Sequence, residues 1–424
     1  IKVDGNPEHP YNRGGSDPLT QATLLDLYDP DRSQHILYRG ETRSWPAFLA
    51  AFRSMLADKK GSGGQGLCFL SATVTSPTMA AQWQQGQKNY PQAKFIQYDT
   101  LNRDSHYTAA KQAFGQYVDA QYRLDQADVI VSLDADFLGG AQHPGFHRLA
   151  QDYANKRKLA GTDAMNRLYT IETGTTLTGF KAEHRLALRP SQMAAFAEML
   201  AAAVNGGESW DHSPFSEHET TYLKGVAADL RASGGKCVVI PGEMAPPEVH
   251  LAAFAINEKL GNVGKTVVYT DTVNPMPSIQ TAELKALVAD MNAGKVDWLV
   301  ILNANPVYGA PADLEFESAL SKVGTVVHLG SHVDETGEIA QWHINNAHYL
   351  EMWSDARAYD GTVSIVQPMI DPLYGGHNAH EILQSLLDKP DVSAYDAVRA
   401  TWMQNGGPLA KGDAEFNWRK VLHD

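Results

Sequence analysis

Asp297-Trp298-Leu299-Val300-Ile301-Leu302-Asn303-Ala304-Asn305-Pro306 runs an unbroken apolar stretch straight into a cluster of turn formers. Such a run, closed by Asn and Pro, predicts a short strand buried on both faces, the mark of a parallel sheet covered by helices. Tyr308, Gly309 and Pro311 prolong the turn. Similar Val-, Ile- and Leu-rich runs occupy Leu67 to Ala72, Lys94 to Tyr98, Asp128 to Leu133, Arg167 to Ile171, Lys236 to Ile240, Lys265 to Tyr269 and Thr325 to Leu329. Between them lie amphipathic helical patterns. Thr281 to Ala293 is one, with Thr281 as cap, a face of Leu284, Leu287, Val288 and Met291, and Gly294 as stop. The pattern predicts an α/β chain with more strands than one small doubly wound unit holds, hence two doubly wound, mostly parallel-sheet domains.

The strand Asp128 to Leu133 also ends in a turn-rich loop, Asp134 to Gly140 followed by His143-Pro144. Both loops fall at carboxyl ends of parallel strands, where open sheets place ligands, although plain turns would use the same residues. The chain has 424 residues, and its net charge of -14 arises from 49 acidic against 35 basic residues with no basic block. That balance argues against nucleic acid, and a phosphate-rich cofactor would need locally placed cations or helix N-termini. No apolar run approaches the roughly 20 residues of a membrane-spanning helix. Cys68 and Cys237 sit in strand-like runs and read as buried thiols; two cysteines cannot supply the four ligands of a cubane cluster.

Other motifs read as structure. Gly61, Gly63 and Gly66 match the dinucleotide glycine spacing but precede a strand instead of following one. Gly264-Lys265-Thr266 resembles the end of a phosphate loop, yet Lys259 occupies the first glycine position, which leaves a helix C-cap. His143 and His147 are separated by Pro144 and Gly145, which deny the helical turn that would pair them on a metal. His212, Glu217, His218 and Glu219, and also His377 and His380, read as solvated polar clusters. The first 45 residues, rich in Pro, Gly, Asn and Asp, are expected to pack irregularly. A short helix is expected at Val392 to Gln404, before a Gly-Gly-Pro break.

Taken in order, Ile1 to Pro10, Leu27 to Arg32, Ser132 to Pro144 and Asn303-Ala304-Asn305-Pro306 resemble the molybdopterin oxidoreductase family over nearly the whole chain. His332-Val333-Asp334-Glu335-Thr336, His348 to Arg357 and Gln367-Pro368 are more particular. They are similar to the B subunits of alternative complex III, which join a molybdopterin-oxidoreductase-like part to a ferredoxin-like iron-sulfur part. The resemblance implies one domain inserted in the other. It divides the chain into a remnant of a cluster-type domain (1–44), a split α/β domain (45–127 and 265–388), an inserted α/β domain (128–264) and a helical tail (389–424). The chain would then be a fragment, leading to a further domain beyond it.

The resemblance also implies a pterin-binding cleft lined by His143, Asn303, Asn305, Pro306, Glu335 and Thr336, with Ser105 in the segment Asp99 to His106 as a possible molybdenum ligand. The departures point the other way. Asp17-Pro18-Leu19 stands where catalytic members place a cluster-ligating Cys, then Pro and Lys. Pro190-Ser191-Gln192-Met193 replaces a run whose Asp holds a guanine, and Met cannot accept those N–H bonds. Glu172-Thr173-Gly174 replaces an acidic-Pro-Arg run. The expectation is therefore a structural part, not catalytic by itself, of a membrane-associated quinol:electron-acceptor oxidoreductase, without cofactor in this segment and with iron-sulfur clusters only outside it. The alternative is an active enzyme carrying molybdenum and bis-molybdopterin guanine dinucleotide. The implied partners are the ferredoxin-like part, a multihaem cytochrome c and integral membrane subunits, at the periplasmic face of the inner membrane.

Overall fold

The computed structural model describes residues 2–139, 143–158, 165–207, 214–404 and 409–423. Its strands, in chain order, are β1 (Ile36–Tyr38), β2 (Glu41–Arg43), β3 (Leu67–Ser71), β4 (Lys94–Gln97), β5 (Asp119–Tyr122), β6 (Val129–Leu133), β7 (Arg167–Glu172) and β8 (His184–Ala187). They continue as β9 (Cys237–Pro241), β10 (Val267–Thr270), β11 (Trp298–Leu302), β12 (Thr325–Gly330), β13 (Trp342–Asn345), β14 (Ser354–Arg357) and β15 (Val363–Val366). Every strand expected from the sequence is present; those it did not show are short or edge strands.

Two compact units emerge. Unit 1 comprises Ile1–Val3, Pro18–Asn102 and Asn274–Asp424; unit 2 comprises Asp4–Asp17 and Arg103–Val273. The junctions fall at 102/103 and 273/274, since β5 and β10 form an antiparallel ribbon with Val267 opposite Tyr122 and Thr270 opposite Asp119, inside unit 2.

Unit 1 is built on a seven-stranded sheet in the order β2-β1-β13-β12-β11-β3-β4. Strands β13, β12, β11, β3 and β4 run parallel, and the β1-β2 hairpin closes one edge antiparallel. The alternation of side chains explains the continuous apolar run. Val300 and Leu302 of β11 pack with Phe48, Phe52, Trp83, Ile382 and Leu386, while Leu299 and Ile301 pack with Leu284, Leu287, Met291, Phe316 and Leu320. Ser44 caps the helix Trp45–Lys60 and Ser76 caps Pro77–Asn89, each beside a Pro in the first turn.

Unit 2 has a parallel four-stranded sheet, β8-β7-β6-β9. Val129, Val131 and Leu133 face the helices Pro190–Val204, Glu217–Ala232 and Pro247–Lys259, while Ile130 faces Leu149 and Tyr153 of the helix Phe146–Arg157. The two cysteines are buried, Cys68 in the first sheet and Cys237 in the second.

Some local expectations are corrected. Thr281 is not a cap: the helix spans Gln280–Asn292, with Ile279 before it and no side-chain cap bond. The N-terminal region is more regular than its composition suggests, with a helix at Pro18–Leu27 and the β1-β2 hairpin. The glycines near 61–66 form the turn between a helix and β3, with Gly63, Gly64 and Gly66 at positive φ. Gly264 belongs to the turn into β10, and the cap of the preceding helix is Leu260. The helix expected at Val392 to Gln404 spans Ala394–Met403; Gly406-Gly407-Pro408 lie outside the described residues, and a further helix spans Ala414–His423.

A buried ion pair ties the early segment of unit 1 to its late one. Arg32 donates to Glu351 at 2.8 Å, with both side chains at most 3% exposed, and also to the carbonyl of Leu27. Glu351 accepts in turn from the backbone N–H groups of His348 and Leu373. Burial alone would raise the Glu351 pKa, but Arg32 and those two N–H groups together hold it below the ordinary carboxylate value. Its contribution is therefore complete above the unfolded value of about 4.3 and fades as the pH falls below it. Arg32→Ala should cost about 3–5 kcal/mol in denaturant unfolding at pH 7 by leaving Glu351 buried and alone, and the pair replacement Arg32→Met with Glu351→Leu should recover most of it.

Candidate functional site

The carboxyl end of β11 is held by a hook of side-chain hydrogen bonds. Asn303 leaves the strand at φ 54°, and its N–H reaches the carbonyl of Leu329 at 2.9 Å. Left-handed backbone is costly for most side chains and cheapest for Gly, Asn and Asp, which is why Asn stands there. Two residues on, Asn305 Oδ1 accepts from the buried Thr336 hydroxyl at 2.7 Å and from the Tyr308 N–H at 3.3 Å. The same Thr336 oxygen accepts from Val307 N–H at 3.2 Å. Asn305 Nδ2 donates to Glu335 at 2.6 Å, which holds that exposed carboxylate below its usual range. Asp334 caps the short helix Glu335–Ile339 by accepting from Gly337 N–H.

The family-implied residues Asn303, Asn305, Pro306, Glu335 and Thr336 thus come together in unit 1. Asn303, Asn305 and Pro306 also line a cavity of about 260 Å³ with Ala72, Tyr98, Asp99 and Tyr308. The Tyr98 and Thr100 hydroxyls fasten its wall to the Gly309 carbonyl at 3.0 and 2.9 Å. Asp99 is tied to the Thr73 N–H.

Unit 2 repeats the centre of the hook, with Leu177 in the place of Glu335. Asp134 follows β6 at φ 60°, its N–H bonded to the Ile171 carbonyl at 2.7 Å. Asp136 Oδ1 accepts from the Thr178 hydroxyl at 2.7 Å, and the Thr178 oxygen accepts from Leu138 N–H at 3.0 Å. Thr176 caps the short helix Leu177–Lys181 by accepting from Gly179 N–H. The matching sequences are Leu133-Asp134-Ala135-Asp136 with Thr178-Gly179, and Leu302-Asn303-Ala304-Asn305 with Thr336-Gly337. A search for a fixed period misses them: the two halves of the hook are 42 residues apart in unit 2 and 31 in unit 1. The signal that would have found them is the recurrence of Leu-Asx-Ala-Asx.

The remaining candidates, His143 and Ser105, belong to unit 2. His143 is buried; its Nδ1 contacts the Pro144 carbonyl, and its Nε2 meets no partner among the described residues. His147 does not join it, being paired with Asp17 at 3.3 Å. Ser105 lies half-buried in the first turn of the helix Asp104–Phe114, directly after Arg103. Arg103 grips Glu243 through two nitrogens, at 2.8 and 3.1 Å, and also donates to the fully buried Asp119, whose other oxygen accepts from Val273 N–H at 2.7 Å. This cluster was not legible in the sequence. Although burial opposes it, Arg103 brings Glu243 down to about 2. His106 and His250 stand with their rings 5.4 Å apart, and burial and then Arg103 or its partners set their charge, with His106 near 3 and His250 near 4.

Of the polar clusters, His212 lies outside the described residues, and Glu219 forms a capping box with Ser216. His377 stacks on Trp45 and contacts Glu381, and His380 is buried between Gln82 and Ser354. These are structural roles.

Asn303→Val should cost about 1–2 kcal/mol, the penalty of a left-handed position for a branched side chain, while Asn303→Gly should be nearly neutral; denaturant midpoints decide. His250 is held neutral in the folded state, so its stability contribution is present above the unfolded value of about 6.5 and is lost as pH falls toward 4. Thermal midpoints measured between pH 7 and 4 should fall, and His250→Leu should flatten that decline.

No family model matches the chain. It is 25% identical over 482 residues to "Menaquinone reductase, molybdopterin-binding-like subunit" of Nitratidesulfovibrio vulgaris, an alignment covering 98% of this chain and 66% of the relative. Its fold matches acetylene hydratase from Pelobacter acetylenicus with a TM-score of 0.72 at 12% identity, over 97% of this chain and 69% of that one. A chain of the formyltransferase/hydrolase complex from Methylorubrum extorquens matches with a TM-score of 0.54 at 13% identity, over 84% and 98%. The chain is thus similar in sequence to a molybdopterin-binding-like subunit and shares its fold with acetylene hydratase.

Proposed function

We propose that the chain is a structural, cofactor-free component of a membrane-associated quinone-linked oxidoreductase of the alternative complex III type. Electrons would pass through a separate ferredoxin-like part to a multihaem cytochrome c, with integral membrane subunits holding the assembly at the periplasmic face. The quinone link rests on the menaquinone reductase relative, of whose length the chain spans 66%. No helix among the described residues is long and apolar enough to cross a membrane.

The observation that carries the cofactor-free reading is the donor set. A pterin dinucleotide brings phosphate charge that a protein offsets with Arg, Lys or helix N-termini. The cavity at the end of β11 is lined by Asp99 and neutral groups without Lys or Arg, and Asp334 and Glu335 stand beside its hook. The equivalent end in unit 2 carries Asp134, Asp136 and Glu172, of which, among the described residues, only Glu172 has an arginine partner, Arg185. Met193, where a guanine-binding Asp would stand, is buried in the core of unit 2, and Asp17, in the place of a cluster ligand, is engaged by His147. These residues do not fit bis-molybdopterin guanine dinucleotide. Ser105 as a molybdenum ligand belongs to the alternative reading.

Purification of the full chain in mild detergent, from molybdate-fed cells that make the whole complex, tests both halves of the proposal. Haem-bearing and membrane subunits should come with it, with molybdenum below a tenth of an equivalent and no pterin fluorescence after denaturation. Stoichiometric molybdenum with pterin would establish the active-enzyme alternative; intact protein free of haem subunits would remove the proposed partners.

A further inference from the structure

The helix Pro18–Leu27 carries a single charged residue, Asp26, and four leucines, a composition expected of a helix enclosed on all sides. It is not enclosed. Leu27 is buried and the Thr23 hydroxyl lies 2.8 Å from the Tyr349 hydroxyl, so positions 23 and 27, one turn apart, mark the face that rests on unit 1. Leu25, two residues from each, stands on the opposite face and is 75% exposed. Leu19 in the first turn is 72% exposed, and Tyr28, just past the helix, 56%.

The apolar surface continues into the segment after β12. Asp29 Oδ2 lies 3.4 Å from His332 Nε2, and the Ser33 N–H donates to the Ser331 carbonyl at 2.8 Å, which joins the residues around Tyr28 to the exposed Val333. The exposed charges of these two segments are all acidic: Asp26, Asp31, Glu335 and Glu338. Residues 18–31 and 331–339 contain no Lys or Arg, and Arg32, the next residue, is buried on Glu351. An apolar centre is thus rimmed by charge of one sign. Large apolar groups left side by side in water mark an interaction site. A second copy of this face would set carboxylate against carboxylate, whereas a partner with Lys or Arg in the matching places gains from the same rim.

We propose that this face of unit 1 is a docking surface for a protein whose contact face is apolar at its centre and ringed by Lys or Arg. The inference does not depend on whether a cofactor is bound, and its test measures docking alone, so it can fail while the proposed function stands.

The test is the affinity of the full chain for a lysine-rich mitochondrial cytochrome c, whose exposed haem edge supplies the apolar centre, across a range of salt. Asp26→Asn, Asp31→Asn and Glu338→Gln together should weaken binding by roughly tenfold and flatten its salt dependence. Asp58→Asn, Glu198→Gln and Glu258→Gln make an equal change of net charge at exposed positions elsewhere and should shift it by less than about twofold. Leu25→Ser with Tyr28→Ser should weaken it by at least about tenfold, the worth of burying side chains of that size, with the salt dependence kept. Equal weakening by the two triple variants would reveal general attraction to an acidic chain and overturn the proposal. So would an apolar double variant without effect, or no binding at about 0.01 M salt. Hydroxyl-radical labelling of the dilute chain alone should mark Leu25 and Tyr28; if both are already shielded, the chain itself or a second copy covers the face and the proposal falls.

Discussion

A strand buried on both faces delivers its chain to the edge of the sheet with no freedom to continue and no water to satisfy its polar groups. Both units meet this constraint identically. An Asx residue turns left-handed at once, its N–H closes on the neighbouring strand, and a threonine in the short helix that follows that neighbouring strand takes hold of a second Asx. In unit 1, Asn305 receives the Thr336 hydroxyl and the Tyr308 N–H on its oxygen while its nitrogen holds Glu335, so one amide gathers three segments at the candidate site.

The same geometry carries different chemistry in the two units. Asp134 and Asp136 bring formal charge where Asn303 and Asn305 bring none. A shared ancestry of shape is compatible with separate demands on each site. Among the described residues, the cavity at the end of β11 is lined by Asp99 and neutral groups.

The sequence made the central strands plain since they are apolar at consecutive positions, a pattern that burial on both faces demands. It hid β5, β8 and β13, four-residue strands with mixed composition such as His184-Arg185-Leu186-Ala187, because their polar side chains find partners only across the fold. Asn303-Ala304-Asn305-Pro306 and Glu335-Thr336 were readable as neighbours through resemblance alone; what binds them is a hydrogen bond spanning 31 residues. The Arg103 cluster left no local trace, its carboxylates lying 16 and 140 residues away. The first segment misled through composition: Arg32 orders it by reaching a carboxylate 319 residues further on.

Asp119 carries a consequence of another kind. One of its oxygens holds Arg103, the first residue of the long segment of unit 2, and the other holds the N–H of Val273, the last. A single carboxylate therefore clasps the entrance and the exit of an excursion of about 170 residues. Chain ends clasped in this way suit a cassette: joining them by a short linker would demand little loop-closure entropy, so the segment invites circular permutation and transplantation between hosts.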